Sequence, residues 1–520
     1  MLCGTALINL GLKGKRIAVI GENRYEWEIA YLSIVCGTGI VVPLDKSLTE
    51  NELKRLIQKS EVEAIFCSHK YIETLEKIKH SEEGKLKLKH LISMDLEENS
   101  NGVFSQRELI KIGSKLIEDG DTVFLDAKIN PEEMSIMLFT SGTTSQPKIV
   151  ALSHKNICSN LMDVGSVLDI NSEDTLLSIL PIHHVFECTV GFLLAFFTGA
   201  TTVFSDGIRH IVDNLKEYNV TVMACVPAIY EGIFKIIRTK LEKQGILEEI
   251  LNNEEKYRSK TMEERRKAFE VIHSMIGGKV KLFISGAAAL DTKIEERYRL
   301  LGINLVQGYG LTETSPVVAV GTNKYHKIGS IGKTVPSVSA KLIDVNDEGI
   351  GELVVKGPSI MLGYFENEEA TNEVLQDGWF KTGDLAKIDD EGYIFICGRK
   401  KSVIVLKNGK NIFPEEIENL VNRIEGITES FIFGKQMSND KNDIKINVKA
   451  VINKERIKEA YKVESDVEIY KAITNKIKGI NKFMPQYKAI RGIILTEEPL
   501  IKTTTNKIKR QENLDAINRA

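Results

Sequence analysis

The 520-residue chain has no excess of either charge, with 69 Lys and Arg against 72 Asp and Glu and a formal net charge of −3. That balance gives no global electrostatic case for nucleic acid as a partner. Cysteine is sparse: seven residues, scattered, odd in number and without CxxC spacing. This argues against a disulfide framework and a zinc site, and for a reducing, cytoplasmic setting. No basic flank followed by an apolar core opens the chain, so no signal peptide is expected. No internal repeat or low-complexity tract stands out, and nothing like a carrier-protein serine motif follows Arg510. One uncharged run, Cys188 to Phe204, approaches membrane-spanning length, but glycines and threonines interrupt it and Glu187 and Asp206 bound it. It reads as a buried helix leading into a strand at Ala200 to Phe204.

What is present is chemistry in short segments. Thr140-Ser141-Gly142-Thr143-Thr144-Ser145-Gln146-Pro147-Lys148 follows the apolar run Ile136 to Phe139. A strand opening into such a loop can aim hydroxyl and backbone donors at one anion, and Lys148 adds a point charge, so polyphosphate is the natural ligand. The Walker spacing is absent, because proline stands before the lysine where glycine is required. A second segment, Gln307-Gly308-Tyr309-Gly310-Leu311-Thr312-Glu313, groups a ring, a hydroxyl and a carboxylate. Tyr309 can stack on a base, Thr312 can bond a phosphate oxygen, and Glu313 can hold magnesium between phosphates. In Gly378 to Asp384 a tight, Gly-bounded turn is expected to present Asp384 to a ribose. Gly398-Arg399-Lys400-Lys401, Gly409-Lys410 and Lys502 to Arg510 follow.

In this order and spacing the segments resemble the adenylate-forming superfamily over nearly the whole chain. Leu180 to Glu187, Val226 to Glu231 and Ser285 to Leu290 are most similar to long-chain fatty acyl-CoA synthetases. The chain departs from that pattern where Ser145, Ile149 and Asn506 replace usual glycines and Ile501 a usual proline. Side chains there stiffen a loop. The stretch before Arg16 is also shorter than in the family, which suggests a late start codon or a clipped gene.

The resemblance implies ATP, Mg2+ and CoA as ligands. A fatty acid carboxylate would attack the α-phosphate, giving acyl-adenylate and pyrophosphate, and a thiol would then expel AMP. Thr140, Ser141, Gly142, Thr143, Thr144 and Lys148 would hold the β- and γ-phosphates. Thr312 would contact the α-phosphate and Glu313 the metal. Tyr309 would stack on adenine, with Gln307 near its amino group and Gly310 among the cofactor-binding residues, and Asp384 and Arg399 would grip the ribose. Lys507 would bridge carboxylate and α-phosphate, because a flexible ammonium can follow moving charge. His184 would gate the acyl site, and Gly286, Ala287 and Ala288 would let adenylate approach the backbone. Lys401 would be the hinge, and Gly409 would shape the thiol channel after the small domain swings. The apolar stretch Phe192 to Phe197 fits an acyl tunnel and plain core packing equally well.

Strand-like runs (Arg16–Ile20, Ile40–Val42, Ala64–Cys67, Thr175–Leu180, Val222–Val226, Lys281–Ser285) alternate with helical patterns such as Tyr25–Cys36. Alternation of this kind predicts an α/β fold with parallel or mixed sheets covered by helices. Arg238 to Lys279 reads as an exposed charged helix pair. After Gly398 lysine becomes frequent, and the runs Phe431–Phe433 and Ile444–Ile452 suggest a small, mobile α+β domain. The expected division is 1–397 and 398–520. Two alternatives stay open: an enzyme that loads an acyl carrier protein instead of CoA, and a non-catalytic lipid- or nucleotide-binding relative. Peripheral contact with a membrane also stays open, since a long-chain substrate dissolves there.

Overall fold

A computed structural model describes residues 1–81, 86–140, 148–243, 245, 248, 250, 252–406, 411–436, 444–502 and 508–519. In the N-terminal part, largely apolar runs of three to seven residues form β1 (Arg16–Ile20), β2 (Ile40–Pro43), β3 (Ala64–Cys67), β4 (His90–Ser93), β5 (Val103–Ser105), β6 (Met134–Thr140) and β7 (Lys148–Ser153). The first five pair in parallel, and β2 also takes β6. Their side chains are apolar on both faces, as a sheet covered on both sides requires. β6 turns back antiparallel into β7.

The next stretch supplies β8 (Thr175–Ser178), β9 (Thr201–Phe204), β10 (Val222–Cys225), β11 (Leu282–Ser285), β12 (Leu305–Gly310), β13 (Val317–Val320) and β14 (Lys333–Thr334). These form a second mixed sheet in the order β14-β13-β12-β11-β10-β8-β9. β15 (Ser339–Ile343), β16 (Gly351–Lys356), β18 (Leu375–Gln376), β19 (Trp379–Ile388) and β20 (Ile394–Arg399) make an antiparallel sheet, while β17 (Gly363–Tyr364) returns to the edge of the first sheet beside β7. The α/β expectation with parallel and mixed sheets holds.

The helix His154–Val167 ties these parts together. Ser153 caps it, its side chain accepting from the Asn156 N–H while Asn156 reciprocates, which satisfies two otherwise orphan donors. Asn156, Asn160 and Asp163 share one face by spacing, and all three are buried. Asn156 Nδ2 donates to Pro358 O and Ile360 O, each at 2.8 Å, and Asn160 Nδ2 donates to Val317 O at 2.7 Å. Asp163 accepts from the Ser337 N–H and hydroxyl. A helix that leaves β7 is thereby bonded to the segments that follow β12 and precede β17.

Beyond residue 400 lie β21 (Ile404–Val405), β22 (Asn411–Ile412), β23 (Ile427–Gln436), β24 (Ile444–Ile452) and β25 (Ile490–Thr496). The last three form one sheet, and the helix Asp466–Asn481 packs Ile469, Ile473 and Ile477 into an isoleucine-rich core with Ile417, Ile432 and Val448. Both strands expected here are present. Asp291 and Arg423 join this part to the rest by a bidentate pair at 2.7 Å for each bond.

Some readings change. Arg238 to Lys279 is not an exposed helix pair. The helix Pro227–Lys243 and short helices at 254–258, 262–268 and 270–275 bury Ile237, Leu241, Phe269, Ile272 and Met275 in a core with Tyr230 and Tyr298. High local charge masked an apolar stripe there. β8 ends at Ser178 rather than Leu180. The uncharged run forms a wide π-type helix, Glu187–Leu193, then a helical turn, Leu194–Thr198, and β9. Among the described residues no helix is long and apolar enough to cross a membrane.

Candidate functional site

The site forms where several strands end. Thr140 closes β6 and Lys148 opens β7. They face each other in register, and the Thr140 hydroxyl points at Lys148 O at 3.4 Å. Ser141, Gly142, Thr143 and Thr144 lie outside the described residues, as do Gly409 and Lys507. Lys502 and Ile508 flank the stretch containing Lys507 and pair with one another. The Lys509 ammonium is among the groups that lower the Glu52 carboxyl, after the capping bonds from Thr49.

β12 delivers the second group. Gly310 is required, because a Cβ there would overlap the Pro316 carbonyl. The chain then enters a tight turn, Thr312–Thr314. Glu313 Oε1 accepts from the Tyr364 hydroxyl at 2.9 Å, and its backbone carbonyl accepts from Met361 N at 2.9 Å. Lys148 Nζ stands 4.4 Å from the centre of the Tyr364 ring. Tyr364 therefore links the lysine of one segment to the glutamate of another. Sequence reasoning missed it. The only signal was an aromatic residue after a glycine in Met361 to Phe365.

The third group centres on Asp384, which is 4% exposed. It accepts from the Tyr309 hydroxyl at 2.6 Å and pairs with Arg399 Nε at 3.0 Å. The expected Gly-bounded turn is not there. Asp384 sits within the ten-residue strand β19, opposite Arg399 of β20, and Gly383 at φ 70 only kinks the strand. Asp384 holds the guanidinium of Arg399 charged, with Tyr309, Glu313 and Glu415 contributing beyond it. Burial, then the adjacent Asp384, pushes the Tyr309 phenol well above its usual range.

Gln307 does not join this group. Its amide donates to Glu295 at 3.0 Å and accepts from Leu290 N at 3.4 Å, so it is engaged inside the fold. Gly286 is buried at the end of β11, and a Cβ there would meet the Phe186 ring at 2.8 Å. Ala287, in left-handed backbone at φ 66, and Ala288 are exposed. His184 Nδ1 accepts from Phe186 N at 3.3 Å, which places this histidine beside the ring that covers Gly286. Its neighbour His183 lies 3.6 Å from Asp45, and burial lowers its pKa. Lys401 is exposed, in a single 3-10 turn. Phe192 is buried, whereas Phe196 and Phe197 are 67% and 52% exposed, so that stretch does not form one continuous wall.

Glu187 bounds the uncharged run and carries no expected role from its sequence. It is 1% exposed and accepts from Leu180 N at 3.3 Å, while its Oε1 has no partner. Burial raises its pKa to about 8, and that of Glu28, which acts on it, to about 7. Nothing in an uncharged flanking sequence announces this, since desolvation depends on what packs around the group.

Among the described residues no cluster of three or more His, Cys, Asp or Glu could hold a metal. Glu313 offers a carboxylate at the hydroxyl of Tyr364, whose ring lies under Lys148. One carboxylate suits a hard cation held chiefly by phosphate oxygens, which is how magnesium is usually bound.

Similarity to known proteins agrees with this geometry. The family model described as AMP-binding enzyme matches residues 2–365. A long-chain-fatty-acid–CoA ligase of Salmonella typhimurium is 30% identical over 453 residues, covering 81% of this chain and 74% of the relative. The long chain acyl-CoA synthetase 3 of Arabidopsis thaliana is 27% identical over 463 residues, covering 83% and 69%. Among solved structures, the anthranilate CoA ligase AuaEII in complex with anthranoyl-AMP superposes with TM-score 0.77 at 20% identity, covering 99% of this chain and 90% of that one. The O-succinylbenzoate coenzyme A synthetase of Bacillus subtilis, in complex with ATP and magnesium ion, gives 0.74 at 20% identity, covering 99% and 92%. These structures share the adenylate-forming fold with it. On the family match and the relatives' identity, the chain belongs to the AMP-binding enzyme family.

Proposed function

We propose that this protein is an ATP- and magnesium-dependent acid–CoA ligase that activates a fatty acid through an acyl-adenylate. The observation that carries this reading is the convergence of Lys148, Tyr309 with Glu313, Asp384 and Arg399 from four separate stretches of chain onto one region. Lys148 and the Glu313 carboxylate suit a triphosphate with its counter-cation, and the buried Asp384 beside a phenol and a guanidinium suits a ribose.

Lys148 and the hydroxyls after Thr140 would hold the β- and γ-phosphates, and Thr312 the α-phosphate. Glu313 would hold magnesium, which supplies charge neutralisation when bound. Asp384 would accept the ribose hydroxyls, and Arg399, 3.0 Å from it, would hold that carboxylate in place. Tyr309 would flank the adenine. Bringing a carboxylate against a phosphate needs fixed positive groups more than bond chemistry, so positioning and electrostatics carry the acceleration. Lys507 would complete the positive set, with the part beyond 398 moving about Lys401 between half-reactions. His184 and Phe186 would border the acyl entrance over Gly286. Long-chain specificity is supported by the similarity to long-chain ligases at 27–30% identity.

The test is magnesium-dependent pyrophosphate release with carboxylates from acetate to oleate. A maximum among long chains, with thioester formed on adding CoA, is the expected result. Failure of every carboxylate ends the enzyme reading, and thioester formation only on a carrier protein replaces CoA as acceptor.

A further inference from the structure

Tyr364 lies on the two-residue edge strand β17, opposite Val150 of β7. Side chains repeat every second residue along a strand, so Lys148 shares the face of Val150 and becomes the diagonal neighbour of Tyr364. That register puts the Lys148 ammonium 4.4 Å from the ring centre. The ring is 8% exposed, and its backbone N–H donates to Thr371 Oγ1 at 2.9 Å. Two further backbone bonds, Leu362 N to Ala151 O and Phe365 N to Ile149 O, hold the strand against β7. From this fixed ring the hydroxyl reaches Glu313 Oε1 at 2.9 Å.

We infer that Tyr364 is a positioning residue with two separable faces: its ring seats the Lys148 ammonium for the nucleotide phosphates, and its hydroxyl orients the Glu313 carboxylate for the magnesium ion. The inference rests on the proposed nucleotide site and adds a residue and a division of labour to it. A phenol donating to one carboxylate oxygen fixes the carboxylate plane and leaves the other oxygen to face a cation. An ammonium over a ring keeps its charge but loses freedom to swing away from the hairpin. Neither face touches the reacting atoms, so the effects should appear in binding.

The test compares Tyr364→Phe and Tyr364→Leu with the unaltered full chain, using calorimetric ATP titration with EDTA and then with magnesium. Tyr364→Phe keeps the ring. It should bind metal-free ATP like the unaltered protein but need roughly tenfold more magnesium for the metal-dependent gain, as loss of a hydrogen bond to a charged group implies. Tyr364→Leu should show the same magnesium defect and also bind metal-free ATP about 3- to 10-fold more weakly, the range of a partly desolvated cation–π contact. Lys148→Gln repeats the metal-free measurement without touching the buried ring, and should weaken binding while leaving the magnesium dependence intact. If Tyr364→Phe shows normal magnesium dependence, the hydroxyl's role is refuted. If Leu and Phe bind metal-free ATP equally, the ring's role is refuted. An unaltered protein that binds no ATP sinks the nucleotide site itself, a different outcome from variants that match a binding parent.

Discussion

Two glycines of β12 lie two residues apart on one strand, and the structure assigns them opposite tolerances. A methyl added at Gly308 would make ordinary contacts, the nearest at 3.7 Å to Ile284 and Val320. A methyl added at Gly310 would run into the carbonyl of Pro316, which is backbone and cannot rotate aside. Gly310 pairs with Val317, and Leu311 N donates to Pro316 O at 3.2 Å, so relief means prying β12 from β13 by more than an ångström. That opening would carry Tyr309 on one side and Thr312 and Glu313 on the other. Overpacking should cost about 1–3 kcal/mol of stability. Misplacement of catalytic groups by about 1 Å can cost on the order of 10²-fold in rate. Gly310→Ala should therefore fold, with a lowered melting temperature, and lose at least ~10²-fold in pyrophosphate release at saturating ATP. Gly308→Ala should keep its rate and stay within about 1 kcal/mol in stability. The assay is steady-state pyrophosphate release beside a thermal melt for both variants. Near-normal turnover in Gly310→Ala, or equal damage from Gly308→Ala, would refute the reasoning.

Asp384→Asn removes the anion facing Arg399 and leaves one carbonyl oxygen where Tyr309 and Arg399 now take one oxygen each. ATP affinity by calorimetry should fall roughly tenfold or more, since bonds to charged groups are worth about 1.5–3 kcal/mol; unchanged affinity contradicts the ribose role. For Glu187, burial lifts the folded pKa from the ordinary 4.5 to about 8, so the folded state holds the proton more tightly. Stability should then decline as pH rises from about 4.5 to about 8 and level off above, by at most about 1.4 kcal/mol per pH unit. Glu187→Gln should flatten that decline in melts across the window; parallel curves for the two proteins would show that Glu187 is not buried as a neutral acid. Arg423→Ala breaks the bidentate pair with Asp291. It should change stability by no more than about 1 kcal/mol, yet shift the ratio of adenylate to thioester formation in single-turnover assays. Equal effects on both halves would mean the pair does not choose between domain arrangements.

The sequence by itself determined the local chemistry and the layer pattern. Apolar runs of strand length alternating with amphipathic stretches allow few arrangements, and β1, β2, β3, β10 and β11 fall within a residue of where that pattern sets them. Tyr309, Thr312, Glu313, Asp384 and Arg399 stand out as candidates in the sequence because each sits in a short segment whose composition suits nucleotide chemistry. Other properties required the third dimension. Asp384 meets Arg399 through cross-strand register, which no local turn signal conveys. Gln307 looks like a ligand residue in one dimension, but Glu295, twelve residues away, claims its amide. The face of Asn156, Asn160 and Asp163 reads as ordinary helix polarity until the backbone atoms it meets, more than 150 residues further on, are known. The raised pKa of Glu187, and the place of Tyr364 between Lys148 and Glu313, come only from what surrounds them. Desolvation and side-chain encounter are properties of packing, and packing joins positions that the chain itself keeps far apart.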